Sequence, residues 1–372
     1  MSVPAGDEAG FPAPTATLGE LRAGIAETRR LGDWPVSVPN ESTLRGIHFR
    51  RLRGGPWPEQ RACLRFLFSA YANSSDVRFF NELLWIADEP ADTGLVEAAK
   101  EAFQHATTGG EHPGHASAKD VARQIATTQT RSKPDHAGPP VSVALLGSPL
   151  QTHEIARRLR ADGIQPSLWA VDQHPNKVLG ALVRHHSVHR AVAAILTGER
   201  TFSTLSLDER GADTAHPHLQ AAALDIGYHR LSQIIRRDLI DCFRIGILND
   251  HWAALPFIRG RSSIEWTVLL SLPLAATVHF VEPEVDTGAI VHMQDLTHEA
   301  VACQSLEGVR ALVKRTRAAR AVVAIGDLVD NPAHAFPNRV EAGRTFYEMH
   351  PWIRAFVNVT AFPRYRQKFA QA

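Results

Sequence analysis

The feature that most constrains this chain is a β–loop–α–β order that begins after Pro140. Val141–Leu146 is a short apolar run that stops at Gly147-Ser148-Pro149. A helical stretch follows from about Thr152 to Ala161, Gly163 ends it, and Ser167–Val171 is a second apolar run. Short apolar runs alternating with amphipathic helices describe strands covered on both faces. The expected class is therefore α/β, a Rossmann-like doubly wound, mostly parallel sheet. Further strands are expected at Ala222–Ile226, Ile245–Leu248 and Thr277–Val281, with a helix at Leu231–Asp241. A late helix is expected at Ser305–Thr316 and a last strand at Ala321–Ile325. Ligands of such sheets sit at the carboxyl ends of the strands. Asn249 falls just past one such end, and Asp286 in the loop past another.

The chain before this pattern has a different texture. Residues 1–16 are small and Pro-rich and read as disordered. Residues 17–125 read as a mainly helical N-terminal domain of unknown role. Its signals are the capping-box spacing of Thr17 and Glu20, a helical run from about Pro58, Phe80, Leu83 and Leu84 within Val77–Ile86, and a run after Asp92. Residues 126–140 read as a linker, 141–354 as the domain carrying the chemistry, and 355–372 as a C-terminal tail. The apolar stripes of the helical part are most simply core positions; an acceptor-recognition module is the sharper alternative.

A formal net charge of +1 gives no overall basic field, so nucleic acid is not an expected partner. The residues from Met1 to Pro14 contain no apolar core of a signal peptide, and no apolar run is long enough to span a bilayer. Three scattered cysteines, Cys63, Cys242 and Cys303, fit a reducing compartment, and a cytoplasmic location is expected. The histidines of 105–136 and the trio His185, His186 and His189 lack acids or cysteines in register, so no metal site is expected.

Three polar residues stand out as chemistry: Asn249, His251 and Asp286. At i and i+2 in an extended segment, Asn249 and His251 project to one side. An asparagine N–H can hold a developing oxyanion. A histidine can exchange a proton near neutral pH, and an aspartate can orient it and support its cation. Together they suit acyl transfer through a tetrahedral intermediate. An Asn-x-His pair on its own is more often a pair of loop or capping residues.

The surrounding residues are more specific. Asn249-Asp250-His251-Trp252-Ala253-Ala254-Leu255-Pro256 is followed by Arg259-Gly260-Arg261, then Ala276-Thr277-Val278-His279-Phe280-Val281, then Val285-Asp286-Thr287-Gly288-Ala289-Ile290. This resembles, in order and spacing, the Asn-x-His…Leu-Pro…Arg-Gly, Gly-Val-Thr-x-His and Asp-x-Gly-x-Ile-Ile signatures of the folate-dependent formyltransferase family, of the methionyl-tRNA and sugar N-formyltransferase kind. The resemblance extends from Val141 to about Arg354 and includes Gly227-Tyr228-His229-Arg230-Leu231 as a loop after a middle strand. It implies a catalytic triad of Asn249, His251 and Asp286, with 10-formyltetrahydrofolate as formyl donor to an amine. It also implies that Tyr228, Arg230, Leu231, Leu248, Glu284 and Val285 surround the pterin. His279 is read as supporting the strand beside the site. The family's Pro-Ser after the histidine is Trp252-Ala253 here, and its Gly before the threonine is Ala276, which puts the acceptor in doubt rather than the chemistry.

The phosphate loop of the glycinamide ribonucleotide enzymes is absent at Leu146-Gly147-Ser148-Pro149, and too few residues follow Asp286 for the C-terminal barrel of the tRNA enzymes. The resemblance therefore points to a small-molecule amine, such as a nucleotide-linked amino sugar or a natural-product intermediate. Two other classes stay open, a formyltetrahydrofolate hydrolase and a noncatalytic folate-binding protein. A homodimer is also left open.

Overall fold

A computed structural model of the chain describes residues 41–52, 76–87, 115–129, 140–172, 203–206, 217–231 and 234–371, with a few positions between 67 and 104. The helix expected after Thr17, the disordered stretch 1–16 and the trio His185, His186 and His189 lie outside the described residues.

In chain order the first described elements are α1 (Glu41–Leu52), α2 (Val77–Ala87), α3 (Ala118–Thr128), β1 (Val143–Leu146), α4 (Pro149–Ala161), β2 (Ser167–Asp172) and β3 (Ser203–Ser206). Then come α5 (Pro217–Ala221), β4 (Leu224–His229), α6 (Arg237–Ile240), β5 (Phe243–His251), β6 (Ile258–Gly260), α7 (Ser263–Leu269), β7 (Ala275–Phe280) and β8 (Ile290–Asp295). The last are α8 (Thr297–Ala302), α9 (Leu306–Asp330), β9 (Arg344–Phe346), α10 (Pro351–Phe356) and α11 (Phe362–Ala370).

Seven strands form one mostly parallel sheet in the order β3-β2-β1-β4-β5-β7-β8. The pairs from β3 through β5 are parallel, whereas β7 lies antiparallel to both β5 and β8. The expected α/β sheet is therefore present, with an antiparallel edge, as mixed doubly wound sheets often have. One face is packed by α4 and α9. There Val143, Leu145, Tyr228, Leu248 and Val278 meet Ile155, Leu159, Ala321, Ala324, Ile325 and Leu328. The other face carries Ala144, Leu146, Leu224 and Ile247 against Leu219 and Leu239 of short helices. The alternation of Ile247, Leu248, Asn249 and Asp250 along β5 thus decides which neighbours each side chain meets.

Three expectations are corrected. Ala321–Ile325 is not a strand but the middle of α9, a single helix of 25 residues that runs on well past Thr316. Its buried apolar positions, Leu306, Val309, Leu312, Val313, Ala321, Ala324, Ile325 and Leu328, recur at three or four, with one step of eight (about two turns) between Val313 and Ala321, so the apolar cluster is one helix face. The Ser305 hydroxyl caps its start by accepting from the Gly308 N–H at 3.1 Å. The helix expected over Leu231–Asp241 is reduced to α6, four residues long. The Leu231 N–H donates to His229 Nδ1 at 3.3 Å, and Arg236 is extended, so the chain does not coil until Arg237. Finally, Asn249 lies within β5 rather than past its end. β3 and β8 are strands that the sequence reading did not expect.

The chain divides into two compact units. The one containing the sheet takes Lys119–Arg259 and Pro273–Gly343; the other takes residues up to Ala118, then Gly260–Leu272 and Arg344–Ala372. The second of these is held by long-range contacts among its own parts. Phe80 stacks on Phe103 at 4.5 Å, and Phe103 meets Phe356 edge-on at 5.2 Å. Asn81 donates to the Glu348 carbonyl and accepts from the His350 N–H, and Trp266 Nε1 donates to the Tyr347 carbonyl. Residues 355–372, expected as a tail, supply α11 with buried Phe362 and Tyr365.

Candidate active site

The site is built within the sheet-containing unit, where β5 and β7 run antiparallel. Their register pairs Asn249 with His279 and His251 with Thr277. Asn249 and His251 are two residues apart in an extended strand and so share a face, and His279 joins them from the neighbouring strand. Asn249 Nδ2 lies 3.3 Å from His279 Nε2.

Asp286 arrives from the loop between β7 and β8. Its Oδ2 lies 3.3 Å from His251 Nδ1 and its Oδ1 3.4 Å from His279 Nε2. All three side chains are buried. The backbone of Asp286 is in the left-handed region, with φ +57, where a non-glycine residue needs support from its surroundings. Asn338 provides it, donating from Nδ2 to the carbonyls of Asp286 at 3.1 Å and Gly288 at 2.9 Å. Gly288 passes so close to β7 that a Cβ there would lie 2.0 Å from the Phe280 carbonyl oxygen. The Asp-x-Gly spacing is therefore a requirement of backbone approach as well as of chemistry.

The residues after His251 are pinned in turn. Thr277 Oγ1 donates to the Ala253 carbonyl at 2.7 Å and accepts from the Leu255 N–H at 3.3 Å. His251 Nε2 lies 2.8 Å from the Ile258 carbonyl oxygen, which can only accept. Nε2 must therefore carry a proton. Nδ1, facing Asp286, is the nitrogen of His251 left for proton exchange.

Asp250, between Asn249 and His251, points to the opposite face of β5. Arg320 binds it twice, Nε to Oδ1 at 2.6 Å and Nη2 to Oδ2 at 3.0 Å. Arg317 Nε adds a third bond at 2.9 Å and Trp252 Nε1 a longer one at 3.3 Å. Burial acts to raise the Asp250 carboxyl, but Arg320 and Arg317 outweigh it and hold the group below the usual carboxylate range. The Arg317 guanidinium also lies over the Trp252 ring, 4.9 Å from its centre. Trp252 is thus oriented by the same carboxylate that anchors α9 to β5.

The six residues expected around a pterin stand in different surroundings. Tyr228 and Leu248 point into the core with α4 and α9. Burial, and then Asp250, push the Tyr228 hydroxyl well above its ordinary range, so it stays an O–H. Arg230 is half-buried at the end of β4, its guanidinium lowered by burial and then by Arg317. Leu231 packs on the opposite face of the sheet from Tyr228. Glu284 and Val285 are exposed beside Asp286, with Val285 at 52%.

Three neighbours were not read from the sequence as parts of the site: His279, Asn338 and His229. The His279 signal was present, since the Thr277–His279 spacing belongs to the quoted motif. His229 is buried at the end of β4. Burial, then Arg230 and His279, press its ring down to about 3, with Asp286 acting in the opposite sense. It is therefore neutral, accepting from the Leu231 N–H at Nδ1. An unfolded histidine protonates near 6.5 while this one resists, so the unfolded state binds more protons between about pH 6.5 and 3 and stability falls with pH in that window. Denaturant titrations at pH 6.5 and 5 should differ by up to about 2 kcal/mol from this residue. In His229→Asn the acid-induced loss should shrink; an unchanged loss would place the acid sensitivity elsewhere.

Among the described residues no cluster of His, Cys, Asp or Glu is arranged to hold a metal ion, and no helix is long and apolar enough to cross a membrane. No protein-family model matches the chain. It is similar to several solved structures. A sugar N-formyltransferase from Shewanella sp. is 14% identical over 56% of this chain and 76% of that one, with a TM-score of 0.40. A 4-N formyltransferase from Francisella tularensis is 13% identical over 59% and 87%, with a TM-score of 0.42. The formyltransferase PseJ from Anoxybacillus kamchatkensis, solved with UDP-4,6-dideoxy-4-formamido-L-AltNAc and tetrahydrofolate, is 16% identical over 61% and 97%, with a TM-score of 0.35.

Proposed function

We propose that this protein is an N-formyltransferase, moving a formyl group from 10-formyltetrahydrofolate to the amine of a small molecule. The observation that carries this reading is the convergence of Asn249, His251 and Asp286, with contacts of 3.3 and 3.4 Å linking them through Asp286 and His279. The residues that converge are those in which the motif resemblance lies.

In the proposed reaction the acceptor nitrogen attacks the formyl carbon and a tetrahedral intermediate forms. Its oxygen takes up negative charge, which an Asn249 N–H stabilises by hydrogen bonding and the His251 ring beside it by its charge. Asp286 supports the His251 cation and takes the proton released by the amine. The bond from the formyl carbon to the folate nitrogen then breaks, and the proton passes to that nitrogen. The products are the formamide and tetrahydrofolate. Leu231, half-buried, and Val285, exposed, offer apolar surface for the flat face of the donor, with Arg230 and Glu284 as polar partners. The acceptor class is a nucleotide-linked amino sugar or a similar amine.

The test is direct. Protein mixed with 10-formyltetrahydrofolate should release tetrahydrofolate only when a suitable amine is added. Release without amine would convert the reading to a hydrolase. Folded protein that binds no folate would end it, and a folate complex without turnover would leave a noncatalytic binder.

A further inference from the structure

We propose that His279 is a positioning residue for the transfer: by accepting a hydrogen bond from the Asn249 amide, it turns the second N–H of that amide toward the reacting carbonyl. The inference rests on the formyl-transfer reading and adds a fourth residue to its machinery.

The argument starts from proton positions. His279 Nδ1 lies 2.7 Å from the Phe280 carbonyl oxygen. A carbonyl oxygen can only accept, so Nδ1 carries a proton. In the neutral ring Nε2 is then a bare lone pair, and it faces Asn249 Nδ2 at 3.3 Å. That nitrogen has two hydrogens. One goes to His279, and the geometry of a planar amide sends the other away from the ring. A protonated His279 would have no acceptor to offer. Asn249 would then have to present its oxygen to Nε2, and the amide would be turned over, with its N–H groups no longer fixed by the ring.

The two histidines compete for one carboxylate. His251 Nε2 is committed to the Ile258 carbonyl at 2.8 Å, so each ring has a single nitrogen free to face Asp286. The two separations, 3.3 and 3.4 Å, do not distinguish them. Asn249 does: its donor occupies His279 Nε2, which leaves the proton facing Asp286 on His251 Nδ1. The cross-strand pairing of Asn249 with His279 thus sets both the direction of the oxyanion donor and the ring that carries the charge. His229, neutral and within electrostatic reach of His279, adds no positive charge that would compete.

Long-range proton–nitrogen correlation spectra of the full-length protein read the ring protons directly. His279, assigned by loss of its signals in His279→Gln, should carry its proton on Nδ1, and Asn249→Ala should shift its Nε2 resonance. A proton on Nε2 overturns the proposal whether or not turnover is found, which separates this failure from failure of the functional reading. In the kinetic arm, His279→Ala should lower kcat by ~100-fold with KM for the formyl donor changed by less than about twofold. His279→Gln, whose side-chain carbonyl can accept from Asn249, should recover to within about tenfold of the parent. Adding Asn249→Ala to His279→Ala should cost less than about threefold more, because the donor is already misdirected. Multiplicative losses, or Gln no better than Ala at equal melting temperature, overturn it.

Discussion

Replacing Asp250 by alanine should destabilise the protein by about 3–5 kcal/mol, the usual consequence of removing one partner from a buried ion pair. The Arg320 side chain is fully enclosed, and two of its nitrogens bind Asp250. Without the carboxylate, its remaining bonds, to Gln294 Oε1 at 2.9 Å, Thr316 Oγ1 at 3.1 Å and the Val313 carbonyl at 3.4 Å, go to neutral groups. The charge would stay desolvated with no anion beside it. Arg317 suffers less, since it is near the surface and retains the Trp252 ring. Replacing both partners with apolar residues, as in Asp250→Leu with Arg320→Met, should recover most of the loss, because no buried charge is left unpaired. Denaturant unfolding measures both variants. A loss below about 1 kcal/mol for Asp250→Ala would mean that water reaches Arg320 and that the pair is not a fixed anchor of β5.

The second large effect concerns turnover. Asp286→Asn should reduce formyl transfer by ~10²–10⁴-fold, the range for loss of a positioned acid or base, with stability and folate binding nearly unchanged. The choice of asparagine matters because Asp286 sits at φ +57. Asparagine tolerates that conformation about as well as aspartate, so the backbone contribution cancels. The amide can still occupy the space between His251 and His279, but it can neither take the amine proton nor balance a cation on His251. Single-turnover transfer under saturating donor and amine isolates the chemical step. A variant within about tenfold of the parent would remove Asp286 from the proton path.

Much of the sheet was legible because its strands are short apolar runs with clear stops. Val143, Ala144, Leu145 and Leu146 are all buried, as a strand covered on both faces requires. β3 was not legible, since Ser203-Thr204-Leu205-Ser206 has no apolar signature and is placed by pairing with β2. The Ala321–Ile325 run misled because periodicity in a five-residue window does not separate a strand from one face of a long helix. In the site, Asn249 and His251 could be placed together from strand geometry alone. His279, Asn338 and the arginine partners of Asp250 could not, because their roles depend on register and on contacts such as Asn338 to Asp286, 52 residues apart, and Arg320 to Asp250, 70 apart. Nor does local sequence reveal that Tyr228 and Leu248 point to the face opposite Leu231; that follows from the parity of strands already paired.

The unit that binds α2 to the chain's final segments has a consequence for the order of events at the ribosome. Arg78 donates to the Thr345 carbonyl and Asn81 to that of Glu348, each across 267 residues of sequence. When α2 leaves the exit tunnel, the backbone that will satisfy it has not been made. The residues of the sheet are nearly all translated in the interval, so that sheet can assemble first. Phe80 and Phe103 meanwhile lack Trp352 and Phe356 as companions. A nascent chain in that condition holds these aromatic rings without their partners for the time taken to synthesise the residues between them, which is the usual circumstance in which unfinished units expose apolar surface.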